Sequence, residues 1–234
     1  MRASTGIIAV IAAFLLAARP GAGRTYTPGD TVRPEDADGK SADAFFRILP
    51  VDDSVFARMK GKSYKDGCTV SRDSLRYVRV LHKDASGAVK VGEMVVAKSI
   101  ADDILDIMRA LYEASYPIER MVLIDEYGAD DDLSMRADNS SAFNYRKVAG
   151  TAVLSKHSLG LAVDINPLYN PYCKRAKDGR MIVSPANAAE YADRSREFPY
   201  KIEKGDLCYR LFTSRGFKWG GDWKSLKDYQ HFEK

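Results

Sequence analysis

Three histidines stand in this chain of 234 residues, and two of them lie among carboxylates at usable spacings. His157 falls in Ser155-Lys156-His157-Ser158-Leu159-Gly160-Leu161-Ala162-Val163-Asp164, and His231 in Asp228-Tyr229-Gln230-His231-Phe232-Glu233. Two imidazoles and one carboxylate are a ligand set for catalytic zinc, with a fourth position left to water. Zinc lowers the pKa of such a water to about 7. Cleaving an amide then needs a base and afterwards an acid, which a nearby carboxylate such as Asp228 or Glu233 could supply. Neither spacing is rare by chance, so these residues alone leave a metal site and structurally satisfied histidines both open. His82, in Arg79-Val80-Leu81-His82-Lys83-Asp84, reads as a surface or edge-strand residue.

The elements that must position these groups follow from periodicity. Leu161, Val163 and Ile165 alternate with Ala162, Asp164 and Asn166, which predicts a strand with one apolar face. A charge in mid-strand is unfavourable unless something holds it, so Asp164 needs a partner. On an unbroken strand His157 and Asp164 would face opposite sides, and a turn at Gly160 must break that register if they are to meet. Tyr229, His231 and Glu233 share one face of a second short strand. Ahead of it, Gly216 to Trp223 forms an aromatic and glycine turn, with Trp219 and Trp223 expected in local core packing. A run of aromatic and ionisable residues at the end of the sequence is expected to be docked, since termini otherwise fray.

Upstream, Leu75–Leu81 and Ala88–Ala97 flank a turn at Asp84 to Gly87 and predict a hairpin. Ser99 is expected to cap a helix with Asp102 in capping-box position and an apolar stripe of Ile100, Ile104, Ile107, Met108 and Leu111. Met121 to Ile124 reads as a short buried strand. Ser184-Pro185 predicts a helix start, and Asp206 and Gly216 bound another helix. Without regular βαβ alternation the class is α+β, a small antiparallel sheet flanked by helices.

Taken together these segments resemble the zinc D-alanyl-D-alanine carboxypeptidases and L-alanyl-D-glutamate endopeptidases of bacterial cell walls. That family shares its fold with the Hedgehog signalling domain. Ser155, His157, Gly160, Ala162 and Asp164 match its first signature at every position. Asp228, His231, Phe232 and Glu233 match its second, in the endolysin-like form, and the Trp219-Gly220-Gly221-Asp222-Trp223 turn is similar to that branch. Asn139 to Arg146 resembles a segment in which family members carry a Ser and an Arg against substrate. The resemblance spans roughly Ala97 to Lys234. It implies His157, Asp164 and His231 as zinc ligands and Asp228 as general base. It implies Arg146 beside the substrate carbonyl or carboxylate, with Ser141 and Ser155 as further substrate contacts; both serines also read as turn residues, and Arg146 as a surface ion pair with the Asp130 to Asp132 run. It implies peptidoglycan peptides as substrate, with the endolysin-like ending favouring an internal bond over terminal D-Ala-D-Ala. A non-catalytic wall-binding domain is the competing expectation from a different class, and the retained Asp228 argues against it.

Composition bounds the setting. Charged residues make 29% and hydrophobic ones 45%, an ordinary globular balance that excludes a collagen, a disordered polyelectrolyte and a polytopic membrane protein. The formal net charge of +4, from 36 basic and 32 acidic residues, leaves no nucleic-acid footprint. A chain of this length buries a core without staples, so a metal here is expected to serve function. Arg2 followed by the apolar run Gly6 to Ala18 is shorter than the about 20 residues of a membrane span. With Gly21, Ala22 and Gly23 after it, residues 1–23 read as a secretory signal peptide, and a mature protein without a membrane span is expected outside the cytoplasm. Residues 24–43, rich in Pro, Gly and Asp, read as a flexible linker, and 44–234 as one peptidase domain, expected as a monomer. Cys68, Cys173 and Cys208 are odd in number, so at least one is unpaired within the chain, and Cys208 shares a helix face with Leu211 and Phe212.

Overall fold

The apolar alternation from Leu75 to Ala97 forms the predicted hairpin in a computed structural model that describes residues 24–234. Strand β1 (Arg47–Pro50) pairs antiparallel with β2 (Leu75–Lys83), and β2 with β3 (Val89–Ala97), in the order β1-β2-β3. Asp84 closes the turn, its carboxylate accepting from the Ser86 and Ala88 amides at 2.9 and 3.1 Å. Helix α1 (Gly39–Asp43) precedes β1, α2 (Asp53–Met59) follows it, and α3 (Ala101–Glu113) packs across β2. The predicted stripe of α3, Ile104, Ile107, Met108 and Leu111, is buried. Its start differs from expectation. Lys98–Ile100 make a 3₁₀ turn that runs straight into α3, and the Ala101 amide bonds the Lys98 carbonyl, so no hydroxyl cap from Ser99 is needed.

The outer edge of β3 is covered by four segments far apart in sequence. The Gly29 and Val32 amides bond Val91 and Val89 carbonyls at 2.8 Å each. The Glu93 amide bonds Met121 O at 2.9 Å, Phe143 bonds Val95 O at 3.0 Å, and Ala97 bonds Gly160 O at 2.8 Å. Residues 24–43 are therefore packed, not a free linker. Tyr26, Val32, Ala37 and Ala42 are buried in the core. The path is irregular and only a few residues touch the sheet, so no periodicity betrays it. Met121 to Ile124 is buried but is no strand. Its neighbour is a side chain: Asn139 accepts from the Val122 amide at 2.9 Å and donates to Val122 O at 3.0 Å. The expected signal peptide, residues 1–23, lies outside the described residues. Among the described residues no helix is long and apolar enough to cross a membrane.

The second half adds helix α4 (Asp131–Arg136) and two more three-stranded antiparallel sheets. One is β4 (Ala162–Asp164), β9 (His231–Glu233) and β7 (Lys218–Trp219), in the order β4-β9-β7. The other is β6 (Met181–Ser184), β5 (Tyr172–Arg175) and β8 (Lys227–Asp228), in the order β6-β5-β8. This is the expected α+β class, although its strands divide among three sheets. Helix α5 (Leu207–Ser214) is capped by Asp206, which accepts from the Tyr209 amide at 2.6 Å, and Gly216 follows with φ +84°. Pro185 precedes a 3₁₀ stretch, Ala186–Ala192, instead of opening an α-helix. All three cysteines are free, and Cys208 is fully buried on α5 against the core.

His82 corrects its expectation most sharply. It is 2% exposed, because residues 117–118 run beside the end of β2 and Ile118 bonds Lys83 O. Its Nδ1 lies 2.7 Å from the Ile118 carbonyl, which can only accept, so Nδ1 carries the proton. Burial holds its pKa down to about 4, against 6.5 for a free imidazole. The folded state therefore excludes a proton that the unfolded chain takes up. That stability is fully present above pH 6.5 and is lost as pH falls toward 4, amounting to about 3 kcal/mol. Urea unfolding of wild type and His82→Asn between pH 7 and pH 4 should show the wild type losing about that much more. Equal pH slopes would refute this account. A second outcome concerns Gly160, whose φ is +68° and whose added Cβ would lie 2.5 Å from the Ala97 nitrogen. Gly160→Ala is expected to cost about 2–4 kcal/mol in the same assay, since strain and backbone collision add.

Candidate metal centre

His157 and Asp164 meet because Gly160 turns the chain between them. His157 lies in a 3₁₀ turn, Lys156–Leu159, whose first amides are capped by Ser155: its hydroxyl accepts from the His157 amide at 3.2 Å. Gly160 then adopts a left-handed conformation open to glycine and pressed against β3. The register break that opposite parity demanded is thus supplied at the position expected. β4 next pairs with β9 so that Asp164 lies directly opposite His231.

The three side chains converge closely. Asp164 Oδ1 is 3.0 Å from His231 Nδ1, and Asp164 Oδ2 is 3.2 Å from His157 Nε2. The two ring nitrogens are themselves 3.2 Å apart. Each imidazole is fixed from its far side. His157 Nδ1 lies 2.6 Å from the Ala142 carbonyl, an acceptor only, so it donates there and leaves Nε2 bare. His231 Nε2 lies 3.2 Å from Glu233 Oε2, which leaves Nδ1 as the inward atom when Nε2 carries the proton. These donors suit a small cation. Ligands at about 2.0–2.1 Å around a tetrahedral zinc are separated by roughly 3.3 Å.

The electrostatics point the same way. Burial alone would raise Asp164, but the imidazoles of His157 and His231 outweigh it and hold the carboxyl far below its ordinary range. Burial would lower His231, yet hydrogen bonds to Asp164 and Glu233 push it up to about 10. Asp164 thus stays ionised and draws positive charge toward the two imidazoles, a proton on His231 standing where a cation would take its place.

Asp228 borders this set from β8. Burial raises it to about 6, opposed by His231, and its Oδ1 is buried without a hydrogen-bond partner among the described residues. The Trp-Gly-Gly turn exists to let it in. A Cβ on Gly220 would fall 2.5 Å from Asp228 O and 2.8 Å from Asp228 Cβ, and one on Gly221 would strike the Trp219 ring at 2.3 Å. Trp219 is buried as expected, but Trp223 packs against the His231 ring, centroids 5.3 Å apart, instead of serving only the core.

The remaining sequence-predicted residues take humbler places. Ser141 exchanges backbone hydrogen bonds with Asp164 at 2.8 and 3.0 Å and extends that sheet. Ser155 spends its hydroxyl on the turn. Arg146 pairs with Asp131 at the start of α4, the surface ion pair anticipated as its alternative. Two residues escaped sequence reasoning. Ser158 is fully buried and its hydroxyl accepts from the Arg146 amide at 2.7 Å, tying that segment to the His157 turn. Gln230 is buried close to Asp228 in sequence, and its Oε1 has no partner among the described residues. A polar residue between two aromatic or ligand positions was the available signal for Gln230; Ser158 offered none.

A family profile described as D-alanyl-D-alanine carboxypeptidase matches residues 149–234. That span holds the converging triad, Asp228 and Glu233, and begins after Ser141 and Arg146. No solved structure matches the chain. Through residues 149–234, the stretch that builds the convergent His157, Asp164 and His231 set, the chain is similar to the M15 family of cell-wall peptidases.

Proposed function

We propose that the protein is an exported, monomeric zinc peptidase that hydrolyses bonds inside peptidoglycan stem peptides or their cross-links. The observation that carries this reading is the triad itself: two ring nitrogens 3.2 Å apart, each 3.0–3.2 Å from a different oxygen of Asp164, with a carboxyl beside them whose Oδ1 is buried and has no partner among the described residues. His157, Asp164 and His231 hold the zinc. When bound, zinc in such a set polarises a carbonyl and makes a nucleophile available at neutral pH. Asp228 takes the proton of the attacking water and passes it to the leaving amine, a task suited to a carboxyl held near 6. Glu233 is engaged with His231 Nε2 and orients that ligand. Of the two serines, Ser141 has the hydroxyl left to meet substrate.

Arg146 bears on which bond is cut. Reading a free terminal carboxylate calls for an unspent cation. Here its guanidinium is shared with Asp131, which favours an internal bond with Arg146 steadying a backbone carbonyl. A wall-binding domain with a structural metal fits less well, since structural zinc sites are closed by four protein ligands.

Zinc-loaded protein incubated with purified muropeptides should yield fragments split within the stem or at a cross-link, read by mass spectrometry. Release of single D-Ala would instead make it a carboxypeptidase, and no cleavage at all would sink the peptidase reading. His157→Ala and His231→Ala should both lose zinc by elemental analysis and lose cleavage while staying folded by circular dichroism.

Asp228→Asn should keep its zinc and lose about 10²–10⁴-fold in turnover. The base must be ionised to act, so wild-type kcat/KM should fall as pH drops through about 6, a limb absent from the residual activity of the variant. An active Asp228→Asn alongside a dead Glu233→Gln would reverse the two roles.

A further inference from the structure

Beyond the metal set, the β6-β5-β8 sheet carries a row of side chains that the hydrolysis does not use. Register places Tyr172 directly opposite both Asp228 and Ser184, and Lys174 opposite Ile182. Opposed residues in an antiparallel pair share a face, as do alternate residues along a strand. Asp228, Tyr172, Ser184, Lys174 and Ile182 therefore lie on one face, which Asp228, with His231 and Asp164 as its charged neighbours, joins to the site. Exposure grades outward along it. Tyr172 and Ser184 are half-buried, Lys174 is exposed, and Ile182 is 48% exposed.

The charge on this hairpin is one-sided. Residues 174–180 hold Lys174, Arg175, Lys177 and Arg180 against the single acid Asp178, which pairs with Arg180 at 2.8 Å. Arg175 belongs to the opposite face and bonds Gly179 O at 3.0 Å. Lys174 has no ion pair among the described residues and is the strand cation on the face shared with Asp228. A solvated hairpin would explain scattered cations. The opposite face has a matching pair, Arg175 across from the exposed Met181, but Arg175 is engaged with Gly179 O, which leaves Lys174 beside Ile182 as the free strand cation on the Asp228 face.

We infer that this face is a substrate ledge on which Lys174 binds a carboxylate of an acidic peptide, with Ile182 and Tyr172 beneath its carbon skeleton. Alternate strand residues are about 6.7 Å apart, so Lys174 reads a group roughly two residues from the one above Tyr172. The inference rests on the peptidase reading and names the feature of the peptide that the site selects.

The test uses two synthetic pentapeptides, L-Ala-γ-D-Glu-L-Lys-D-Ala-D-Ala and its twin with the D-Glu α-carboxylate amidated. Binding to zinc-loaded Asp228→Asn protein is measured by calorimetry, so no turnover is needed. The free acid should bind about three- to fivefold tighter than the amide, the range of an exposed ion pair. Raising the salt should shrink that preference. Lys174→Glu in the same background should abolish or invert it, whereas Lys177→Glu, the same charge change at the turn, should leave it intact. Equal binding of the twins, no binding of either, or loss of preference in both variants would overturn the inference. So would anionic phospholipid vesicles binding the protein through Lys174 while the twins stay indistinguishable. Failure of the peptidase reading is seen separately, as absence of cleavage by the wild-type enzyme.

Discussion

A carboxylate with little access to water has to be answered from within the protein, and Asp164, its side chain 14% exposed, is such a group. Its two oxygens reach two imidazoles, and each imidazole is held from behind by another acceptor, Ala142 O for His157 and Glu233 for His231. Remove any one of these and a buried charge or donor is left without a partner, at a cost of several kcal/mol. The folds of three separate segments are therefore constrained to one another by a few ångströms of electrostatics. That is why Asp164 sits in mid-strand against its own propensity.

The N-terminal sheet holds the frame for this constraint without contributing a ligand. β3 lends its outer edge to Gly29 and Val32, Met121, Phe143 and Gly160 in turn, from one end to the other. The last two of these contacts flank the His157 turn: Phe143 follows Ala142, whose carbonyl fixes the ring, and Gly160 reverses the chain. An edge strand left bare would be an aggregation hazard. Here the hazard is removed by the same hydrogen bonds that set the ligands in place.

What could be read from the amino acids was what depends on local pattern. The hairpin at 75–97, the stripe of α3, the Asp206 cap and the alternation around Asp164 all declare themselves through period or chemistry. The convergence of His157, Asp164 and His231 was legible because few residue types and spacings suit a metal. What could not be read was whatever a distant segment decides. His82 looks like an edge residue until residues 117–118 arrive beside it. Residues 24–43 look unstructured because only four widely spaced side chains are buried. Met121 to Ile124 lacks a strand partner because the Asn139 amide takes that place. Arg146 has two readings in the sequence, and its pairing with Asp131 depends on where a distant segment folds.

The spacing of the ligands also has a chronology. His157 and Asp164 are made almost together, but His231 follows Asp164 by 67 positions and His157 by 74. Sheet β4-β9-β7 cannot close until that later strand exists, since β9 lies between the other two. A chain emerging from the ribosome therefore carries two of the three converging side chains before the third exists. The order of synthesis itself thus delays the meeting of these three side chains until β9 has been made.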